Sequence, residues 1–292
     1  MRHLLDFQDV DKKHLEKLIE VTKTSEAKAE NLDSLAILKF DEPSTRTRLS
    51  FAIAAEKLGI KTFESSDSIS ANQKGEMLKH EIETYVSMGI EILVLRTKEN
   101  NIDDYRVLED VGVISGGFGD ISHPTQALID ISTLDSFDKL KGTSVPITYI
   151  GDVKHSRVFE SGRQLLSLLG YKVGVFTNQN LLPEDKSNVE IYESWDEVFE
   201  NTNAIELLRV QKERIQENEK IDFEDYIKNY QLTNKVLKKS QDDLIVLHPM
   251  PINVGIEISE DAIKDRKIKY LNQLSYAIPS RIAAFKYVKG EL

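Results

Sequence analysis

The sequence predicts an α/β protein of two domains, each a mainly parallel sheet with helices on both faces. Three observations carry this. Short apolar runs alternate with longer segments of helical periodicity, the pattern of strand–helix–strand units. The alternation comes in two sets, the second opening at VPITYIGD, Val145 to Asp152, after the loop FDKLKGTSVP. The length of 292 residues, with 40% hydrophobic and 30% charged residues, suits about two globular domains of ordinary size.

Each element has a local reason. From Asp11 to about Glu26 an amphipathic helix is expected, with Leu15, Leu18, Ile19 and Thr22 on one side and Asp11 as cap. LAILKF, Leu35 to Phe40, reads as a buried strand. Pro43 and Ser44 then open a helix that Gly59 ends. A strand near Lys61 to Glu64, the polar loop SSDSISANQKGE and a helix from about Glu76 to Met88 follow. IEILVLR, Ile90 to Arg96, and GVISGG are further strands, and HPTQALIDISTL is a loop turning into a helix. In the second set, SRVFESGRQLLSLLG is a helix between the strands VPITYIGD and YKVGVF. AIELLR, Ala204 to Arg209, and LIVLHP, Leu244 to Pro249, complete the strands. Lys212 to Lys239 is charge-rich and reads as a mobile loop with helical parts. The domain boundary is expected in or just after the helix Thr125 to Leu134.

The 38 Lys+Arg against 49 Asp+Glu give a formal charge of −11. That balance speaks against a general binder of nucleic acid or membrane surfaces, while leaving room for a local basic pocket. There is no cysteine, which removes disulfides, thiolate metal sites and a Cys nucleophile. The first residues carry charges every few positions and show no apolar secretory core. No apolar run approaches the ~18 residues of a membrane span. A cytoplasmic protein is expected.

The chemistry concentrates at strand ends. PSTRTR, Pro43 to Arg48, lies where a strand feeds a helix, and helix N-termini favour anions. Ser44, Thr45 and Thr47 add hydroxyl donors, and Arg46 and Arg48 add guanidinium forks suited to phosphate oxygens. In HPTQ, His123 and Gln126 can both hydrogen-bond one planar ligand. Arg96 ends an apolar strand, where ligands of open α/β sheets bind. Arg157, in GDVKHSRV, and Arg209, Gln211 and Arg214, in LLRVQKER, follow strands of the second set. Two such arginines could grip a dicarboxylate. HPMP, His248 to Pro251, ends the last strand on a loop stiffened by proline.

Taken together, PSTRTR, the QKGE loop, HPTQ, GDVKHSRV, RVQKER and HPMPINVGIEI resemble, in order and spacing, the aspartate carbamoyltransferase catalytic chains of the aspartate/ornithine carbamoyltransferase family. The resemblance runs from the N-terminal MRHLLDF to about Arg281. It implies transfer of the carbamoyl group of carbamoyl phosphate to the amine of L-aspartate, the committed step towards the pyrimidine ring. It also implies a homotrimer with shared active sites, and neither a covalent intermediate nor a metal or other cofactor. Residues 1–134 would be the carbamoyl-phosphate-binding domain, with a C-terminal helix of about 275–292 packing back on it. Residues 135–274 would bind aspartate.

Carried over residue by residue, Ser44, Thr45, Arg46 and Thr47 hold the phosphate, while Thr47, Arg96 and His123 polarise the carbonyl and Gln126 holds the carbamoyl amide. Ser70 and Lys74 reach the adjacent chain's site. Arg157, Arg209 and Gln211 hold aspartate, and the Met250–Pro251 backbone lines the pocket. Glu42 bridges to Arg157 and Arg214 on closure. The catalytic set is thus Arg46, Thr47, Lys74, Arg96 and His123. Ornithine-using members carry a cysteine in the H-x-L-P slot, whereas this chain has Met250 in His-Pro-Met-Pro and no cysteine anywhere. The sequence departs from the family at Ala52, where Glu is usual, at Ser115 to Asp120 (SGGFGD for NAGDG), at Val254 for Arg, and within SYAIPSR. None of these departures removes a residue expected to hold either substrate; they bear instead on catalytic rate and loop closure.

Overall fold

The first apolar run, LAILKF, is buried through its middle because it becomes an inner strand with neighbours on both edges. The computed structural model describes residues 1–24, 31–65, 78–210 and 222–292. Within them the chain divides into two compact units, 1–132 with 275–292, and 133–274. The division falls inside a helix, two residues before the boundary expected at 134.

The first unit opens with α1 (Lys12–Thr24), which buries Leu15, Leu18 and Thr22. Asp11 caps it, its carboxylate accepting from the His14 N–H at 3.0 Å. Then follow β1 (Leu35–Phe40), α2 (Thr45–Lys57), β2 (Lys61–Ser65), α3 (Leu78–Ser87), β3 (Ile92–Thr97), α4 (Ile102–Arg106), β4 (Gly112–Phe118) and α5 (Pro124–Ser136). The sheet is parallel throughout, in the order β2-β1-β3-β4. Its apolar core gathers Leu5, Ile37, Leu93, Leu95, Tyr105, Val113 and Phe118.

The second unit contains β5 (Ile147–Ile150), α6 (Arg157–Leu168), β6 (Val173–Phe176), β7 (Val189–Ile191), α7 (Trp195–Asn201), β8 (Ala204–Leu207), α8 (Phe223–Tyr230), α9 (Asn234–Leu237), β9 (Ile245–Leu247) and most of α10 (Tyr270–Ser275). This sheet is also parallel, in the order β7-β6-β5-β8-β9. Its core includes Ile150, Phe176, Phe199, Ile205, Leu207 and Val246. The last helix, α11 (Ala277–Lys289), belongs to the first unit and packs on α1 and α2.

Two parallel sheets with helices are what the strand–helix alternation predicts. The short elements α4, β7 and α7 were not expected, since each is too brief to show a period. The expected strand Val145 to Asp152 is trimmed to Ile147–Ile150. Gly151, with φ +130°, turns the chain out of the sheet there. Of the charged stretch 212–239, residues 222 onward form α8 and α9, and the preceding part lies outside the described residues. No helix among the described residues is long and apolar enough to cross a membrane.

Candidate active site

Strand order decides where a ligand can sit in such sheets. In the first unit the chain runs from β1 outward to β2, then returns to place β3 on the other side of β1. The gap beyond the carboxyl ends of β1 and β3 is therefore a topological switch point, where open α/β sheets bind ligands. PSTRTR follows β1, and Arg96 lies at the end of β3. The Asp41 N–H donates to the Arg96 carbonyl at 2.9 Å, so the turn entering α2 is tied to this strand end.

At that turn Ser44 is the N-cap of α2, with φ −156° and ψ 92°, yet its side chain makes no capping hydrogen bond. The first N–H groups of α2 are thus not satisfied by the usual Ser-to-N3 bond. Thr47 is buried and Arg46 is exposed. Partial desolvation lowers the Arg46 guanidinium from its ordinary range.

Arg96 is held from two sides. Its Nη1 donates to the Gly116 carbonyl at 3.1 Å, and its Nε lies 3.4 Å from Glu42 Oε2. The register of β3 and β4 shifts between Leu95 and Arg96, so that Gly116 is the extra residue of a bulge. The bulge turns the Gly116 carbonyl toward the guanidinium. This is the local structure of SGGFGD, where the sequence departs from the family. Glu42 is buried beside Arg96 within the first unit. Of its expected closure partners, Arg157 belongs to the second unit and Arg214 lies outside the described residues.

His123 and Gln126 open α5. Both are buried, and the Gln126 N–H donates to the His123 carbonyl at 2.9 Å. Thr125 Oγ1 lies 3.5 Å from His123 Nδ1.

The second unit repeats the arrangement. From β5 the chain goes outward to β6 and β7, then returns to β8 and β9 on the other side. The switch point lies beyond β5 and β8. Arg157, at the start of α6 after β5, and Arg209, just past β8, flank it. Ser156 caps α6 through the Phe159 N–H at 3.2 Å. The two strand ends are joined by the Leu208 N–H, which donates to the Ile150 carbonyl at 2.7 Å. A Cβ on Gly151 would collide with the Leu208 carbonyl, so only glycine permits this approach.

Met250 and Pro251 follow β9 and are joined by a cis peptide. His248 accepts the Met250 N–H on Nδ1 at 2.8 Å and donates its own backbone N–H to Gln273 Oε1 at 2.9 Å. Gln273 Nε2 in turn donates to Glu206 Oε1 of β8 at 3.0 Å. Glu257, 47 residues beyond Val210, accepts the Val210 N–H at 3.1 Å and the Asn253 N–H at 2.8 Å. Burial raises its carboxyl pKa, and these N–H groups act against that. Glu206, Glu257 and Gln273 escaped the sequence reading, because nothing in a charge's neighbours along the chain says that it is buried. Ser70, Lys74, Gln211 and Arg214 lie outside the described residues.

Two parallel sheets, each with arginines at its switch point, define a doubly wound α/β protein fitted for anionic small molecules. Residues 2–136 match the family model described as Aspartate/ornithine carbamoyltransferase, carbamoyl-P binding domain. Residues 143–288 match its companion, the Asp/Orn binding domain. The chain is 33% identical to an aspartate carbamoyltransferase catalytic subunit of Aquifex aeolicus, over 99% of both chains. Among solved structures, the catalytic subunit of M. jannaschii aspartate transcarbamoylase superposes with a TM-score of 0.80 at 28% identity, covering 100% of this chain and 99% of that one. The ornithine carbamoyltransferase of Pyrococcus furiosus shares the fold, with a TM-score of 0.84 at 22% identity and 100% and 98% coverage. The chain belongs to the aspartate/ornithine carbamoyltransferase family.

Proposed function

We propose that the protein transfers the carbamoyl group of carbamoyl phosphate to the α-amine of L-aspartate, giving N-carbamoyl-L-aspartate and phosphate. The observation that carries this reading is that each unit has its own switch point. One has an uncapped helix N-terminus beside Arg96, and the other is flanked by Arg157 and Arg209. The relative in Aquifex aeolicus bears the name of this activity.

In this reading Ser44, Thr45, Arg46 and Thr47 hold the phosphate, with Ser70 added from an adjacent chain. Thr47, Arg96 and His123 donate to the carbamoyl carbonyl oxygen, where negative charge develops as the amine attacks. Donors fixed in advance at that oxygen lower the barrier, typically by ~3–4 kcal/mol each. Gln126 and the Met250–Pro251 backbone hold the carbamoyl amide. Arg157, Arg209 and Gln211 pair with the two carboxylates of aspartate, with Lys74 beside them. The amine attacks the carbonyl carbon, the tetrahedral intermediate expels phosphate, and phosphate accepts the amine proton. Catalysis is then positioning and electrostatics. The protein would act in the cytoplasm as a homotrimer, in pyrimidine biosynthesis.

Phosphate release from carbamoyl phosphate, measured with aspartate and then with ornithine, tests the reaction. Release with ornithine alone, or with neither amine, would overturn it. Mixing inactive Lys74→Ala and Arg46→Ala chains tests the shared site. Recovered activity supports it, and none in proven mixed trimers refutes it.

A further inference from the structure

One turn beyond Gln126, in the run ALIDISTL, helix α5 carries Asp130, only 3% exposed. Gln126 Nε2 donates to Asp130 Oδ1 at 2.9 Å. A carboxylate can only accept. Asp130 therefore binds the nitrogen end of the Gln126 amide and leaves Oε1 directed away from itself. Arg281 of α11, 2% exposed, stands behind this pair. Its Nη1 donates to the Thr125 carbonyl at 3.2 Å and to Ser280 Oγ at 2.6 Å, and its guanidinium lies over the Phe51 ring at 5.3 Å. Burial pushes Arg281 down to about 9, and the charge of Asp130 acts the other way. The two opposite charges compensate one another where water does not reach.

We propose that Asp130, backed by Arg281, is a positioning residue that sets the polarity of the carbamoyl subsite by holding Gln126 with its amide oxygen toward the ligand. This rests on the reading of Gln126 as the residue that meets the carbamoyl amide. That amide is an NH2 group, a donor, and it requires an acceptor. An inverted Gln126 would oppose donor to donor. The same polarity rejects ligands that bring an oxygen to this place, since two acceptors would then face each other unpaired.

The test compares three ligands by calorimetry on the full-length protein: phosphonoacetamide, which keeps the amide; phosphonoacetate, which puts an acceptor oxygen there; and inorganic phosphate. In Asp130→Asn the new Nδ2 can donate to Gln126 Oε1, which lets the amide invert. Phosphonoacetamide should then bind roughly ten- to a hundredfold more weakly. Phosphonoacetate should gain relative to it, and phosphate should be unchanged. In the double variant Gln126→Glu, Asp130→Asn, the asparagine donates to one oxygen of Glu and leaves the other as acceptor, so the preference for amide over acid returns. An unchanged amide-to-acid ratio in Asp130→Asn, or an equal loss of all three ligands, overturns the proposal. If that variant does not fold, the double variant decides: a restored preference supports the proposal and a lost one refutes it. Gln126→Ala separates the two levels. If it keeps the parent's preference, Gln126 does not meet the amide, and the underlying reading falls together with the proposal. If it abolishes the preference while Asp130→Asn does not, the reading stands and only the proposal fails.

Discussion

At the end of β3, Arg96 has one side of its guanidinium on the Gly116 carbonyl and another beside the Glu42 carboxylate. Such a group enters a reaction already oriented, and an oriented donor needs no reorganisation when charge develops. Arg96→Ala should still fold, with a lowered melting temperature, because the buried Glu42 carboxylate loses the guanidinium beside it. Its kcat for carbamoyl transfer should fall by roughly two to three orders of magnitude. Steady-state kinetics beside a thermal melt checks this. A kcat within a few fold of the parent would remove Arg96 from the carbonyl. The same residue shows what could be read along the chain. A cation closing an apolar strand is visible in IEILVLR. The bulge that aims it is not, because a register shift belongs to a pair of strands and not to either one.

The elements owe their precision to a few close approaches. Gly151 ends β5 at φ +130°, where a Cβ would collide with the Leu208 carbonyl. Gly151→Ala should push apart the ends of β5 and β8, which carry Arg157 and Arg209. The cost of a strained or displaced backbone is ~1–3 kcal/mol. Thermal stability should fall, and the aspartate KM should rise more than that for carbamoyl phosphate. Equal rises in both would refute the assignment of this switch point to the amine substrate.

The edge strand β4 depends on a different element, the N-terminal segment. Leu4 bridges to Ile114, and the His3 imidazole accepts the Val113 N–H on Nδ1 at 3.1 Å while Nε2 lies 2.7 Å from the Leu108 carbonyl. This pattern needs the neutral ring with its proton on Nε2. Burial, the larger influence, lowers the His3 pKa from 6.5, and the Leu108 carbonyl opposes it. The unfolded chain therefore takes up the proton first as pH falls. His3 contributes stability that is fully present above about 6.5 and is lost as pH falls through the lowered folded-state value. Urea midpoints should drop between pH 7 and 5, and His3→Gln, which can donate and accept at the same places, should flatten that slope. A slope unchanged in the variant would assign the pH dependence to other groups.

For the whole molecule, the two switch points lie in separate compact units, each with its own sheet and core. Loss of a binding group in one should leave binding in the other nearly intact, because each switch point is built on its own sheet and core. Arg209→Ala should raise the aspartate requirement by ~10- to 100-fold, the cost of one lost charge-assisted pair. Calorimetric affinity for carbamoyl phosphate should stay close to the parent's. Loss of carbamoyl phosphate binding instead would assign Arg209 to the other substrate.

By itself the sequence determined the fold class, because strand and helix periods, helix caps and glycine stops are written in residues a few positions apart. LAILKF, the Ser44 start and the Gly59 stop, and the two sets of β/α units need no distant partner to be read. Family membership was legible in the same way, through separated motifs kept in order. Only the tertiary structure decided the strand orders β2-β1-β3-β4 and β7-β6-β5-β8-β9, and with them the switch points that gather PSTRTR and Arg96 at one sheet and Arg157 and Arg209 at the other. It alone shows Glu257 reaching back to Val210 and Arg281 standing behind Asp130. The reason is physical. Local conformation follows from neighbours along the chain, whereas pairing between strands, and the burial of a charge against its partner, is settled by packing between segments whose separation in sequence carries no periodic signal.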